Sequence, residues 1–554
     1  MLTIPTPCPQ SDEHQADLIR DQIAAGADRM LIDVLEIFCD DDKREVLFSN
    51  VKRYLDRATA AGLRPGIWTT TLGWGDERDD DFKRKYGNAT RITSFFGSTS
   101  GAVCVLDEEF TALCERNVAD FARAGARLIL LDDDLVLSVR PGLTCSCEKH
   151  LRLFAERTGR EWTGPEVCAL FTGGPSAERT AWMDLTGETI MDFCRRLRRA
   201  VDSVDPTIRM GLCASYTHYD LDGFDIKELV RLLAGEGNRP YLRLSGATYW
   251  ARHAWRAKNQ RLSGVLEFVR AQAAWLRDTD FELLDENDPH PRLTEVVPAC
   301  DVELYDKAML TQDRVGRLKY ITLYADRATG ELGYFNAHME NLPYDAKIIA
   351  AFAGKTAVGW RVFSAEHKVR DAYLPEEYMG NSNLMKWLTQ SHAGSLAAAL
   401  GFPTRYEGKG PTLVFGEDAR HLPDDAAFSP IVCDRTAAAI LRERGISHTE
   451  LPLEARELDF AEVPDVSDTL RALCPEVAFA PNIYPLISES ADGRELSLML
   501  LNDGDTDRNT AEVLLPANYM LKEAIHCEPS VCGNRLTLPC LKARDWACVV
   551  LTRA

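Results

Sequence analysis

Residues 127–150 read RLILLDDDLVLSVRPGLTCSCEKH. Leu128, Ile129, Leu130 and Leu131 are four apolar residues in a row with no solvent-facing position among them, the mark of a strand buried on both faces of a parallel sheet. Asp132, Asp133 and Asp134 therefore emerge where that strand ends, which is where α/β enzymes carry their reacting groups. Carboxylates ending a buried strand are costly to keep without a role.

The same pattern extends in both directions. From the start of the chain to about residue 365, short apolar runs alternate with amphipathic stretches, as expected of parallel strands joined by crossover helices. Eight strands are expected, at 30–38, 65–72, 102–106, 128–131, 208–214, 241–249, 281–285 and 357–363. Between them, ETIMDFCRRLRRAVDSVDP sets Ile190, Phe193, Leu197 and Val201 on one helical face and stops at Pro206. Eight such units predict a (β/α)8 TIM barrel, class α/β, over residues 1–400. The rival, a doubly wound open sheet, needs a glycine-rich turn after its first strand; Ile37-Phe38-Cys39-Asp40-Asp41-Asp42 is acidic instead. GFPTRYEGKGP reads as a linker. A small α/β domain is expected at 410–477, and the alternation in ELSLMLLND, AEVLLP, LTLPCL and ACVVLT predicts an antiparallel, β-sandwich-like domain at 478–554.

The bulk numbers narrow the partners. At 554 residues, two to three domains are expected, and 45% hydrophobic with 27% charged residues is ordinary for a globular protein. The formal net charge of -21 opposes nucleic acid and anionic membranes, so neither is an expected partner. No apolar run reaches membrane-spanning length and MLTIPTPCPQSDEH lacks the parts of a signal peptide, which predicts a cytoplasmic protein. Sixteen cysteines spread over such a chain read as small buried residues rather than a disulfide framework.

A second acidic strand end follows Phe281 to Leu284, where Asp285, Glu286 and Asp288 precede His290 and Arg292. These carboxylates follow the seventh strand as the three aspartates follow the fourth. Glycoside hydrolysis needs two opposed carboxyl groups, one to protonate the leaving oxygen and one to attack or to activate water. Aromatic residues near strand ends, Trp74, Tyr249 and Trp360, offer faces for a pyranose, with Glu36, Arg243, His290 and Arg292 as polar candidates for binding it. Cys145-Ser146-Cys147-Glu148-Lys149-His150, with Cys104 near a neighbouring strand, has the residue types of a tetrahedral zinc site. There is no Gly-x-Ser-x-Gly elbow, His-Glu-x-x-His motif or Walker loop, and no organic cofactor is expected.

These features resemble the clan A glycoside hydrolases, most closely the β-galactosidases of family 42 and their uncharacterised relatives. The resemblance implies a carbohydrate substrate with a terminal β-linked sugar and a retaining two-carboxylate mechanism. It implies Glu286 as nucleophile and the acid at the Asp133-Asp134 pair, with Asp134 on the catalytic position; the family's Asn-Glu has become Asp-Asp here. It also implies that Tyr249 can bond the nucleophile, and that structural zinc is held by Cys104, Cys145, Cys147 and His150, the last replacing a cysteine. A homo-oligomer, trimer or dimer, is a further implication. An inverting glycoside phosphorylase and a non-catalytic carbohydrate-binding barrel are the alternatives.

Overall fold

Eight parallel strands close into a barrel in the computed structural model, which describes residues 1–34, 41–75, 77–138, 144–215, 217–251, 261–322, 333–376, 392–460 and 462–554. They are β1 (Leu2–Pro7), β2 (Arg29–Asp33), β3 (Pro65–Thr69), β4 (Leu128–Leu131), β5 (Arg209–Cys213), β6 (Tyr241–Ala247), β7 (Glu282–Glu286) and β8 (Val315–Leu318), in sequential order around the barrel. No helix among the described residues is long and apolar enough to cross a membrane.

Two of the expected strands lie elsewhere and two barrel strands were not foreseen. The run at 102–106 overlaps Thr99–Val103, which pairs antiparallel with Arg91–Thr93 in a hairpin outside the barrel. Within 357–363, Trp360–Val362 belongs to a second sheet. Strand β1 was hidden by Pro5 and Pro7, which normally demote a strand. Both are tolerated because Met1 and Thr3 turn their carbonyls to β8, and the same parity points the two proline nitrogens to that side, beyond the last paired residues, Thr3 and Leu318. Strand β8 was hidden by its shortness and by Arg317. The two errors offset in the count, so 128–131 remains the fourth strand and 282–286 the seventh.

Alternation along the strands decides what faces the barrel interior. Leu31, Trp68, Leu130, Tyr241, Leu284, Leu318 and Tyr320 pack together there, whereas Ile32, Ile67, Ile129, Leu242 and Leu283 face the surrounding helices. The same parity carries Asp33, Asp132, Arg243 and Glu286 inward at the C-terminal rim.

The second sheet is parallel, in the order Thr404–Arg405, Trp360–Val362, Thr412–Val414, Ile431–Cys433, Thr449–Glu450. The supposed linker thus contributes a strand. Toward the C-terminus a five-stranded sheet and a three-stranded sheet, built from antiparallel pairs, share a core that includes Ile487, Leu498, Val513, Leu538 and Val549. The opposite face of the larger sheet, with Leu486, Met499 and Cys548, joins the barrel's helix-side core.

One buried carboxylate ties all three units together. Glu267, on the helix Leu262–Trp275 that covers the barrel, accepts hydrogen bonds from Thr404 Oγ1 (2.8 Å), Tyr406 Oη (2.8 Å), Tyr484 Oη and Arg270 Nη1 (2.5 Å). Removing one partner of a buried pair leaves the other charge uncompensated, at about 3–5 kcal/mol. Glu267→Gln is expected to lower stability by about that much in a urea titration, and Arg270→Met added to it to restore part of the loss.

Candidate active site

At the rim, Arg243 links the two acidic strand ends. Its Nη2 lies 2.9 Å from Asp133 Oδ2 and its Nη1 3.1 Å from Glu286 Oε1. Arg243 is 2% exposed, and its Nε has no hydrogen-bond partner among the described residues. Asp133 also accepts from the indole Nε1 of Trp74 at 3.0 Å, and Glu286 accepts from the backbone N–H of Gly246 at 3.2 Å. Gly246 adopts φ +145°, and a Cβ there would meet Val269 Cγ2 at 2.5 Å, so only glycine delivers this amide to Glu286. Burial pushes the Glu286 carboxyl up to about 8; Arg243 opposes the rise, and Asp133 and Asp288 add to it.

The three consecutive aspartates have three different surroundings. Asp133 is partly exposed and faces Arg243 and Trp74. Asp134 is fully buried, and its oxygens accept from Thr71 N (2.8 and 2.9 Å), Thr71 Oγ1 (2.8 Å) and Gly73 N (2.6 Å). It fastens the loop after β3 to the end of β4, although burial raises its carboxyl to about 7 against these donors. Asp132 is buried beside Arg243 and caps the Asp133 amide at 2.8 Å. On β7, Asp285 points away from the interior and accepts from Leu318 N at 2.6 Å.

The other expected binding residues divide into those near the rim and those elsewhere. Arg292 pairs with Asp288 (3.2 Å) and lies over the Tyr320 ring, with its Cζ 4.9 Å from the centroid. Tyr249 meets His290 edge-on at 5.5 Å, and its N–H bonds the Asp288 carbonyl at 3.2 Å. Trp74 is half-exposed. Trp360 is not at a barrel strand end: it is fully buried in the core of the second sheet with Val362, Leu396 and Phe402, because its strand left the barrel. Glu36 lies outside the described residues.

Asp33 and His218 were not anticipated. Asp33 ends β2, and burial pushes it up to about 7, with Asp288 adding to the rise and Arg292 opposing it. Its signal was the inward parity from Leu31, concealed by reading the strand on to residue 38. His218 follows β5, its Nδ1 2.7 Å from Ser138 Oγ, and burial holds it down at about 4, in its neutral form.

Away from the rim, Cys104, Cys145, Cys147 and His150 are all buried, and their ligand atoms lie within 4.8 Å of one another. Cys104 Sγ is 3.7 Å from Cys147 Sγ and 3.6 Å from His150 Nδ1, which is 3.4 Å from Cys147 Sγ. His150 Nε2 sits 3.3 Å from Thr189 Oγ1, whose hydroxyl donates to the Thr186 carbonyl at 2.8 Å. Thr189 thus has an acceptor to offer Nε2–H, leaving Nδ1 free to face the thiols. This set can bind a metal ion. A second cluster, Glu303, Asp306 and His338, surrounds a cation the chain itself supplies: Lys319 Nζ lies 2.6 Å from Glu303, 3.0 Å from Asp306 and 3.1 Å from His338 Nδ1.

No protein-family model and no curated protein matches the sequence. Solved structures do match along the whole chain. The β-galactosidase of Bacillus circulans sp. alkalophilus superposes with a TM-score of 0.61 at 10% identity, covering 100% of this chain and 98% of that one. Gan42B, a GH42 β-galactosidase, gives 0.58 at 10% identity, covering 100% and 98%. The β-galactosidase of Rahnella sp. R3 gives 0.53 at 11% identity, covering 99% and 98%. The chain therefore has the fold of the GH42-type β-galactosidases from end to end.

Proposed function

We propose that this chain, folded throughout like those enzymes, is a glycoside hydrolase acting on a terminal β-linked sugar, with Glu286 as nucleophile and Asp133 as the proton donor. The observation that carries this reading is the Asp133–Arg243–Glu286 bridge at the rim: two carboxylates from facing strand ends spanned by one guanidinium. Double displacement uses carboxyl groups about 5–5.5 Å apart, and inversion about 6.5–9.5 Å, which admits a water. In the first step Glu286 attacks the anomeric carbon while Asp133 protonates the departing oxygen; in the second Asp133 takes a proton from the water that releases the sugar. Arg243 opposes the burial that raises Glu286 and so favours its carboxylate form, and Trp74, bonded to Asp133, offers a ring face to the substrate. Asp134, with both oxygens occupied, acts through the loop it holds.

Glu286 pushed up to about 8 favours a second assignment, in which Glu286 donates the proton and Asp133, with two donors on it, is the attacking carboxylate. The pH profile separates the two. Below about 8 Glu286 is protonated, so kcat/KM of a nucleophilic Glu286 rises with pH toward a limb near 8, whereas that of a donating Glu286 falls above it. The profile, measured on a panel of aryl glycosides in phosphate-free buffer, also tests the hydrolase reading: no turnover on any member overturns it, and turnover only with added phosphate favours a phosphorylase.

The cysteine cluster is proposed to hold structural zinc through Cys104, Cys145, Cys147 and His150. With Zn–S near 2.3 Å and Zn–N near 2.0–2.1 Å, a tetrahedron has S–S edges of about 3.8 Å and S–N edges of about 3.5 Å. The 3.7, 3.6 and 3.4 Å separations fit that frame. Bound zinc would cross-link the segment before helix Glu148–Thr158 to the hairpin that ends at Val103.

A further inference from the structure

In the barrel interior, three polar atoms are buried without hydrogen-bond partners among the described residues: Trp68 Nε1, Asp33 Oδ1 and Tyr320 Oη. Trp68 is 4% exposed and Tyr320 1%. A buried polar group left unpaired costs about 1–3 kcal/mol, and three on neighbouring interior positions call for a shared partner. Asp33 and Trp68 are register partners on β2 and β3, so their backbones stand one inter-strand spacing apart, about 4.8 Å, with side chains on the same face. The Trp68 and Tyr320 rings meet edge to face at 5.7 Å, and Arg292 covers Tyr320 from the rim.

We infer that Asp33, Trp68 and Tyr320 are specificity-determining residues that read the ring hydroxyls of the sugar whose linkage is cut between Asp133 and Glu286. The inference rests on the glycosidase reading and extends it to strands β2, β3 and β8. An indole N–H can only donate, an ionised carboxylate oxygen can only accept, and a phenol does either. A hydroxyl, which both donates and accepts, matches this combination, and a vicinal pair of hydroxyls on a pyranose reaches across adjacent strands. An anionic sugar does not match. The two guanidiniums there, Arg243 and Arg292, already face the carboxyl groups of Asp133, Glu286 and Asp288. The substrate class is therefore a neutral sugar, held at its hydroxyls and not at a carboxylate or phosphate.

Ligand-observed NMR titration tests this on the full-length protein. Methyl β-D-galactopyranoside and methyl β-D-glucopyranoside are the parent probes, each with its 3-, 4- and 6-deoxy analogues, against wild type, Asp33→Asn, Trp68→Phe and Tyr320→Phe. At least one deoxy analogue is expected to bind the wild type about 10²-fold more weakly than its parent, because the groups built to meet that hydroxyl go unpaired. In the matching variant parent and analogue are expected to bind alike. Asp33→Asn keeps the shape of the side chain, so the comparison survives if Trp68→Phe does not fold. Variants that keep the wild-type discrimination overturn the inference and leave water as the occupant; so does a wild type that binds neither parent probe. If discrimination follows the three residues while no aryl glycoside is hydrolysed, the hydrolase reading fails and the three residues remain as a sugar-binding site without cleavage.

Discussion

Glu286→Ala is expected to lower kcat on aryl β-glycosides by about 10⁴-fold or more, and sodium azide to restore turnover with a glycosyl azide of inverted anomeric configuration. The inversion identifies a nucleophile: with the carboxylate gone, azide enters the space it occupied and displaces the leaving group once. Asp133→Ala is expected to behave differently. Its loss is large on substrates with poor leaving groups and small on 2,4-dinitrophenyl glycosides, which depart without a proton, and azide then gives the retained configuration. The exchange of these two patterns between the variants would reverse the roles, as the raised Glu286 carboxyl allows. Asp134→Asn serves as the control, because a residue bonded through both oxygens to Thr71 and Gly73 should affect all leaving groups equally.

The second large effect concerns the cysteine cluster. Purified protein is expected to carry about one zinc per chain, and Cys147→Ser to lose it with a fall of about 10 °C in the thermal unfolding midpoint, on a scale of about 2–4 °C per kcal/mol for a domain of some 150–250 residues. The size follows from what the ion would join. Cys104 comes directly after one hairpin strand, Cys145 and Cys147 lie between β4 and the next helix, and His150 sits in that helix's first turn. Among the described residues the cysteines of these segments are free of disulfides. Wild-type protein with less than about a tenth of an ion per chain by elemental analysis would sink the zinc assignment.

The sequence was most legible where local pattern is sufficient. Short apolar runs followed by acids located β4 and β7, and Cys-x-Cys-x-x-His marked three of four clustered ligands within six residues. It was least legible where tertiary pairing decides. Pro5 and Pro7 argue against a strand until the end of the β8 ladder is known. Trp360 looks like a barrel residue until its strand is seen pairing with Thr404–Arg405 and Thr412–Val414. Among Asp132, Asp133 and Asp134 the alternation of the strand has ended, so nothing in the order of residues says which meets Arg243 across the rim and which fastens a loop. Thr189, which orients His150, lies 39 residues away along the chain, and no spacing rule points to it.

Glu267 constrains how such a chain can have descended. Its carboxylate is held by groups from the barrel-covering helix, the parallel sheet and the C-terminal sandwich at once. Recombination that swapped any one of these units with a distant homologue would inherit a hydroxyl or guanidinium without its counterpart, or the charge without its donors. The three units would therefore pass between lineages together, and their mutual divergence should have kept pace. The fold these solved structures share with the chain at 10% identity likewise covers all three units.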